Sequence, residues 1–220
     1  MNSTLKRDIR AHGVRLLMSR HPEIRKLKRL HNPSIHGNKL WSSSWVLMEY
    51  LGRRGLPQRA RLMEVGCGWG LAGIYCAKKH GAIVTGVDKD AEVFPYLRLH
   101  AHVNRVKVFT LKSDLRNLRM QELKRVDVVI GVDICFWDNM VDPLRKFIRR
   151  ALRSGVKQVL VADPGRPTFE KIATYFVDKG IGEVLDWKTR RPRLIEGRIL
   201  KIGSDCRPGI QRQERRLKRR

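Results

Sequence analysis

From residue 61 onward the chain alternates short apolar runs with amphipathic stretches. Runs at 61–65, 82–87, 106–111, 126–132 and 156–162 are rich in Val, Ile and Leu and show little in/out alternation. That composition predicts strands buried on both faces. Between them, residues 71–80, 91–104, 140–152 and 168–179 carry apolar positions at helical spacing. The order implies an α/β protein whose parallel sheet is covered on both sides. Residues 182–187 and 195–202 read as two more strands joined by the basic turn Lys188-Thr189-Arg190-Arg191-Pro192-Arg193, so the mostly parallel sheet should end in an antiparallel hairpin. Ahead of this core, residues 42–51 look helical. Residues 3–30 read as one or two basic amphipathic helices broken near His21-Pro22. The expected organisation is a basic helical extension (1–35), one α/β domain (36–204) and a basic tail (205–220) that does not fold.

Charge changes the picture more than size does. The 220 residues suffice for one domain with a sizeable core, but they carry a formal net charge of +26. Such a surface attracts polyanions, and association with RNA or ribosomes through the basic ends is one expectation. A solvated tail is the other, since no RNA-binding signature accompanies the charge. No apolar run is long enough to span a bilayer. The N-terminus lacks the apolar segment of a secretory signal, and Asp8 and Glu23 count against an organelle-targeting helix, so a cytoplasmic location is expected. Cys67, Cys76, Cys135 and Cys206 form no C-x-x-C pair, which argues against a zinc site, and the first three lie in or beside apolar segments.

The candidate chemistry sits at the strand ends. The first parallel strand runs into Glu64-Val65-Gly66-Cys67-Gly68-Trp69-Gly70, and a helix follows at once. Glycines there allow a tight turn and a close approach of backbone to ligand. Gly68 to Gly73 fits the G-x-G-x-x-G of dinucleotide sites. Gly66, Gly68 and Gly70 preceded by Glu64 fit the acidic G-x-G-x-G pattern of S-adenosylmethionine (SAM) sites, where the acid lies near the cofactor's cationic amino-acid end. Asp88 ends the second strand and can accept both ribose hydroxyls of an adenosine in either reading. Asp114 and Leu115, after the third strand, are candidates for the adenine amino group and the base face. The fourth strand favours methyl transfer, because Asp133 with Phe136 and Trp137 puts a carboxylate beside aromatic rings. That pairing suits a cationic amine approaching a sulfonium.

At these residues the chain resembles the seven-strand (class I) SAM-dependent protein-lysine methyltransferases. Asp133-Ile134-Cys135-Phe136 matches their D-x-x-F motif, and Leu40-Trp41-Ser42-Ser43-Ser44-Trp45 matches their W-x-S-S-like segment. Asp163-Pro164-Gly165-Arg166-Pro167-Thr168-Phe169 looks like the D-P-G-R-P-x-F stretch of the electron-transfer-flavoprotein β-subunit lysine methyltransferases and their bacterial relatives. The resemblance covers about residues 36–180. It implies a single Rossmann-like domain, SAM as cofactor and a protein substrate. It also implies that Trp41 lines the cofactor site, that Gly66, Gly68 and the Val132 backbone approach the methionine part, and that Asp133 and Phe136 shape a lysine channel. RNA- or ribosome-directed methylation is the second reading. An NAD-dependent oxidoreductase, lacking an acid/base dyad, and a non-catalytic SAM-fold scaffold are more remote.

Overall fold

The computed structural model describes residues 7–34, 37, 39–203 and 206. Apart from Cys206, the expectation for the basic tail therefore lies outside the described residues. The chain runs β1 (Asp8–Ala11), β2 (Val14–Leu17), α1 (Pro22–Leu30), α2 (Ser43–Arg54), β3 (Arg61–Val65), α3 (Leu71–His80), β4 (Ile83–Asp88) and α4 (Phe94–Val103). It continues β5 (Val108–Lys112), α5 (Met120–Leu123), β6 (Val128–Val132), α6 (Val141–Arg153), β7 (Gln158–Asp163), α7 (Pro167–Asp178), β8 (Gly182–Thr189) and β9 (Ile195–Gly203).

Strands β3 to β9 form one seven-stranded sheet in the order β5-β4-β3-β6-β7-β9-β8. All pairings are parallel except β7·β9 and β8·β9. The expected antiparallel C-terminal hairpin is present, and it inserts β9 next to β7. The chain leaves β3 towards β4 and β5, then returns to start β6 on the other side of β3. The crevice at the carboxyl ends of β3 and β6 is therefore the topological switch point, where ligands of open α/β sheets bind. The Gly66 loop follows β3, and Asp133 follows β6. Every residue of β6 is buried, which explains its uninterrupted Val-Val-Ile-Gly-Val sequence.

The N-terminal region departs from expectation. Residues 8–17, read as helical, form an antiparallel hairpin in which His12 and Gly13 take positive φ at the turn. Only Pro22–Leu30 is helical, with Pro22 in its first turn rather than breaking it. Arginines spaced like a helical polar face misled the reading; the decisive signal was the His12-Gly13 turn between Ile9-Arg10-Ala11 and Val14-Arg15-Leu16.

The hairpin is not a loose appendage. Leu16 and Leu17 are buried in the main core with Trp45, Tyr96 and Ala101. Asn104 accepts the Arg15 N–H and donates to the Arg15 carbonyl, each at 2.8 Å. His100 donates from Nδ1 to the Tyr96 carbonyl and accepts the Leu17 N–H at Nε2. Both contacts hold only in the neutral ring, and burial lowers its pKa accordingly. Replacing Leu16 by Ala should cost about 2–5 kcal/mol, the usual range for a buried leucine. Urea denaturation of the full chain measures it, and a loss under about 0.5 kcal/mol, typical of surface substitutions, would mean the hairpin adds nothing to the fold.

Candidate active site

A cavity of about 430 Å³ opens at the switch point. That volume suits a nucleoside-sized ligand. It is lined by Trp41, Glu64, Gly66, Gly68, Gly70, Asp88, Asp114, Leu115, Val132, Asp133 and Phe136, so the structure gathers every site residue proposed from the sequence around one space.

The glycines divide into two kinds. Gly68 has φ +48° and nothing within 4 Å of where a Cβ would stand, so its bare backbone faces open cavity. Gly70 has φ +70°, but a Cβ there would meet the Leu97 side chain at 2.7 Å. Gly68 thus leaves room for a ligand against its backbone, while a side chain at Gly70 would collide with Leu97.

Glu64 is buried, and its Oε2 accepts the Gly73 N–H at 3.0 Å. Burial pushes its carboxyl up to about 8; the Gly73 N–H pulls it partly back, and Asp88 pushes it further up. The raised pKa favours the protonated carboxyl at neutral pH. Asp88 accepts the Gly68 N–H at 3.1 Å and the Asp90 N–H at 3.1 Å. Burial raises its pKa, against the pull of those two N–H groups. Asp90, not Asp88, caps the next turn, accepting the Glu92 N–H at 2.9 Å. Asp88 is therefore not spent on a helix cap. Asp114 is already engaged: Arg116 donates to both of its oxygens, at 2.9 and 2.6 Å, and these bonds lower its pKa. Any ligand contact at Asp114 shares the carboxylate with Arg116.

At the far end lies a cluster that sequence reading only half found. Asp133 is buried and takes the left-handed conformation, φ 53°. Its Oδ2 accepts the N–H of Ser43, the first residue of α2, at 3.2 Å, and its Oδ1 accepts from Arg166 at 2.8 Å. The same Arg166 nitrogen donates to Asp163 Oδ2 at 2.6 Å. Asp163 is fully buried at the end of β7, and its Oδ1 accepts the Gly165 and Arg166 N–H groups. The Arg166 guanidinium lies 4.1 Å from the centre of the Phe136 ring, and Phe136 meets Trp41 edge-on at 4.8 Å. Arg166 and Asp163 were visible as part of the Asp-Pro-Gly-Arg-Pro segment but had no role, because their partner Asp133 stands 33 residues before Arg166. Their proximity follows from the parallel register that sets Val132 beside Ala162.

The fold alone is shared with solved structures of other enzymes. Precorrin-6y C5,15-methyltransferase from Geobacter metallireducens superposes with TM-score 0.55 at 11% identity, covering 71% of this chain and 86% of that one. Precorrin 8w decarboxylase from Methanobacterium thermoautotrophicum gives 0.54 at 12% identity, covering 72% and 89%. The sequence relatives narrow this. The electron transfer flavoprotein beta subunit lysine methyltransferase of Xenopus laevis is 28% identical over 139 residues, covering 61% of this chain and 56% of that protein. The Homo sapiens protein of the same name is 24% identical, covering 61% and 52%. A ubiquinone biosynthesis O-methyltransferase from Coxiella burnetii is 28% identical over 100 residues, covering 46% and 41%. The chain spans about half the length of the curated relatives it matches. Its fold is the class I methyltransferase fold, and family and fold together imply SAM as the cofactor. The lysine methyltransferase family profile matches residues 22–180, and the chain belongs to that family.

This geometry can be tested in two ways. Gly68→Val should abolish SAM binding in isothermal titration, because the side chain enters the cavity and the left-handed backbone adds about 1–2 kcal/mol of strain. Its far-ultraviolet circular dichroism should stay that of the wild type; SAM binding of wild-type strength would mean the cofactor does not use this cradle. Glu64 gives the second test. With a folded-state pKa above the unfolded one, its contribution to stability is complete below about 4.5 and is lost as pH rises through about 8. A cofactor cation beside it reverses that preference. Binding at pH 7 should therefore release up to about one proton, seen as an apparent enthalpy that varies with buffer ionisation heat. Glu64→Gln should remove the variation, and a wild-type enthalpy independent of buffer would place the cation elsewhere.

Proposed function

We propose that the chain transfers a methyl group from SAM to a lysine side-chain nitrogen of a protein. The observation that carries this is the crevice beside the Gly68 cradle, where buried Asp133 and the Phe136 and Trp41 rings face the same cavity. Membership of the lysine methyltransferase family and the names of the two flavoprotein-modifying relatives support it. SAM supplies the methyl group as an activated sulfonium. In this reading Gly66, Gly68 and the Val132 backbone flank its methionine part, Asp88 takes the ribose hydroxyls, and Asp114 and Leu115 take the adenine.

The protein's own contribution is alignment and exclusion of water. The acceptor amine must be neutral to attack. A low-polarity channel walled by Phe136 and Trp41 favours the neutral form, while a carboxylate opposes it. Asp133, already bonded to Arg166 and the Ser43 N–H, is therefore an orienting group and not the base.

Asp133→Asn tests the assignment: Asn also tolerates the left-handed conformation, and an unchanged SAM affinity reports that loss of the ion pair with Arg166 leaves the fold intact. The substitution keeps shape but loses the charge. Single-turnover methyl transfer should fall about ten- to a hundred-fold, the equivalent of one charged hydrogen bond, while SAM affinity changes far less. Transfer at the wild-type rate would leave Asp133 only as the cap of α2. The substrate class is tested by incubating the protein with labelled SAM and a cell extract. A labelled product that survives nuclease but not protease is expected, and one that survives protease but not nuclease would replace lysine by RNA.

A further inference from the structure

The N-terminal hairpin, the segment before α2 and the β8–β9 turn enclose a second space beside the cofactor cavity. It is lined by Arg10 of the hairpin, Lys39 and Trp45 around the start of α2, and Arg191 and Arg193 of the turn. Lys39, Leu40 and Trp69 line both spaces, so the two adjoin. The segment between them alternates: Trp41 and Ser44 face the cofactor side, Ser42 and Trp45 the other.

The groove's shape is held by contacts between the hairpin, α2 and the β8–β9 turn. His12, at the hairpin tip, stacks on Trp45 and hydrogen-bonds through Nε2 with the Arg191 carbonyl at 3.1 Å. Its Nδ1 lies 3.6 Å from Glu49 of α2, and Thr189 donates to the Arg191 carbonyl at 3.0 Å. These bonds use the backbone of the turn and leave its cationic side chains exposed. Arg191 and Arg193 have no ion-pair partner among the described residues. The acid among its lining residues, Asp8, pairs with Arg15 at 2.6 Å and with Arg10 at 3.9 Å. Part-exposed Ile9 and Ile195 add aliphatic surface, with Leu16 and Trp45 buried beneath.

We propose that this groove docks an acidic segment of the substrate polypeptide, flanking the lysine that enters beside Phe136. The proposal rests on the protein-lysine reading above. The unpaired guanidinium groups of Arg191 and Arg193 beside aliphatic surface suit carboxylates carried on a chain with apolar side chains. A nucleic acid backbone would satisfy the cations, but Trp45 and Trp69 are buried and offer no exposed ring for a base to stack on, so an acidic peptide is the better match. The arrangement also gives the unexpected hairpin a role, since its Arg10 forms one wall.

The test uses the full chain and a fluorescent peptide with one lysine among glutamates and leucines. A counterpart with glutamine for glutamate and a single-stranded RNA of similar length serve as comparators. Wild-type protein should bind the acidic peptide more tightly than its glutamine counterpart. Reversing the turn charges (Arg191→Glu with Arg193→Glu) should weaken the acidic peptide at least about ten-fold, because repulsion replaces attraction. Arg191→Gln with Arg193→Gln should weaken it less. SAM affinity should be unchanged in both, which also reports an intact fold. The same reversal on the exposed face of α6, at Lys146 and Arg149, should have little effect. Peptide affinity within two-fold of wild type in the Arg191/Arg193 reversal would overturn the proposal, as would a larger loss for RNA than for peptide. Mass spectrometry of the same peptide separates the two readings. Groove-dependent binding with no methyl group arriving on lysine counts against the lysine reading alone. Equal lysine methylation by wild type and the reversed variant counts against the groove alone.

Discussion

Arg166 bridging Asp133 and Asp163 is the interaction on which the site's shape depends. It joins the ends of two adjacent parallel strands, β6 and β7, across the mouth of the crevice. The two acids are almost fully buried, and such carboxylates are tolerable only when donors saturate them. Arg166, two backbone N–H groups at Asp163 and the Ser43 N–H at Asp133 do so. Removing one partner from a fully buried ion pair costs about 3–5 kcal/mol. Arg166 keeps a solvent-facing edge, which lessens that figure here. The cluster acts by positioning its neighbours. It fixes Asp133 in its left-handed conformation, seats the N-terminus of α2, and lays a guanidinium on Phe136. Trp41, two residues before α2, is brought to Phe136 by the same anchoring.

The parallel core was legible because burial on both faces leaves a plain mark. Val126 to Val132 and Val156 to Ala162 can be little else than interior strands, and the observed β6 and β7 begin only two residues later. The glycine loop was legible for a different reason. A strand that ends in glycines and turns straight into a helix has few uses beyond cradling a ligand. Gly68, with space where a side chain would be, fits that use, whereas Gly70 shows that not every glycine in the motif faces the ligand.

The features that escaped the reading were nonlocal or masked by charge. Asp133 could be placed at a strand end, but no spacing rule reveals that Arg166 reaches it, since that depends on strand register. The adenine-side Asp114 looked available and proved to be shared with the neighbouring Arg116, a competition that sequence proximity did permit one to foresee. In the N-terminal hairpin, arginines at nearly every turn hid the two-residue alternation that Val14-Arg15-Leu16 carries faintly. The buried acceptors for that hairpin, His100 and Asn104, lie on α4 and at its end, far along the chain.

Methyl transfer from a sulfonium to an amine moves a positive charge across the site without creating or destroying one. Under the proposed reading, the acceptor end must welcome that charge late and resist it early, because a protonated lysine cannot attack. Two full carboxylates at Asp133 and Asp163 would hold the ammonium too firmly. Neither, with Arg166 alone, would repel the product. The observed triad has one net negative charge, spread over buried oxygens and partly covered by a guanidinium stacked on Phe136. In the same reading Glu64 plays the opposite part at the donor end: burial favours its neutral form, and a cation beside it would favour the carboxylate, so its charge would develop with the cofactor instead of preceding it. The two ends thus differ in the way charge transfer requires. One has its negative charge built in and partly neutralised, and the other develops it on binding.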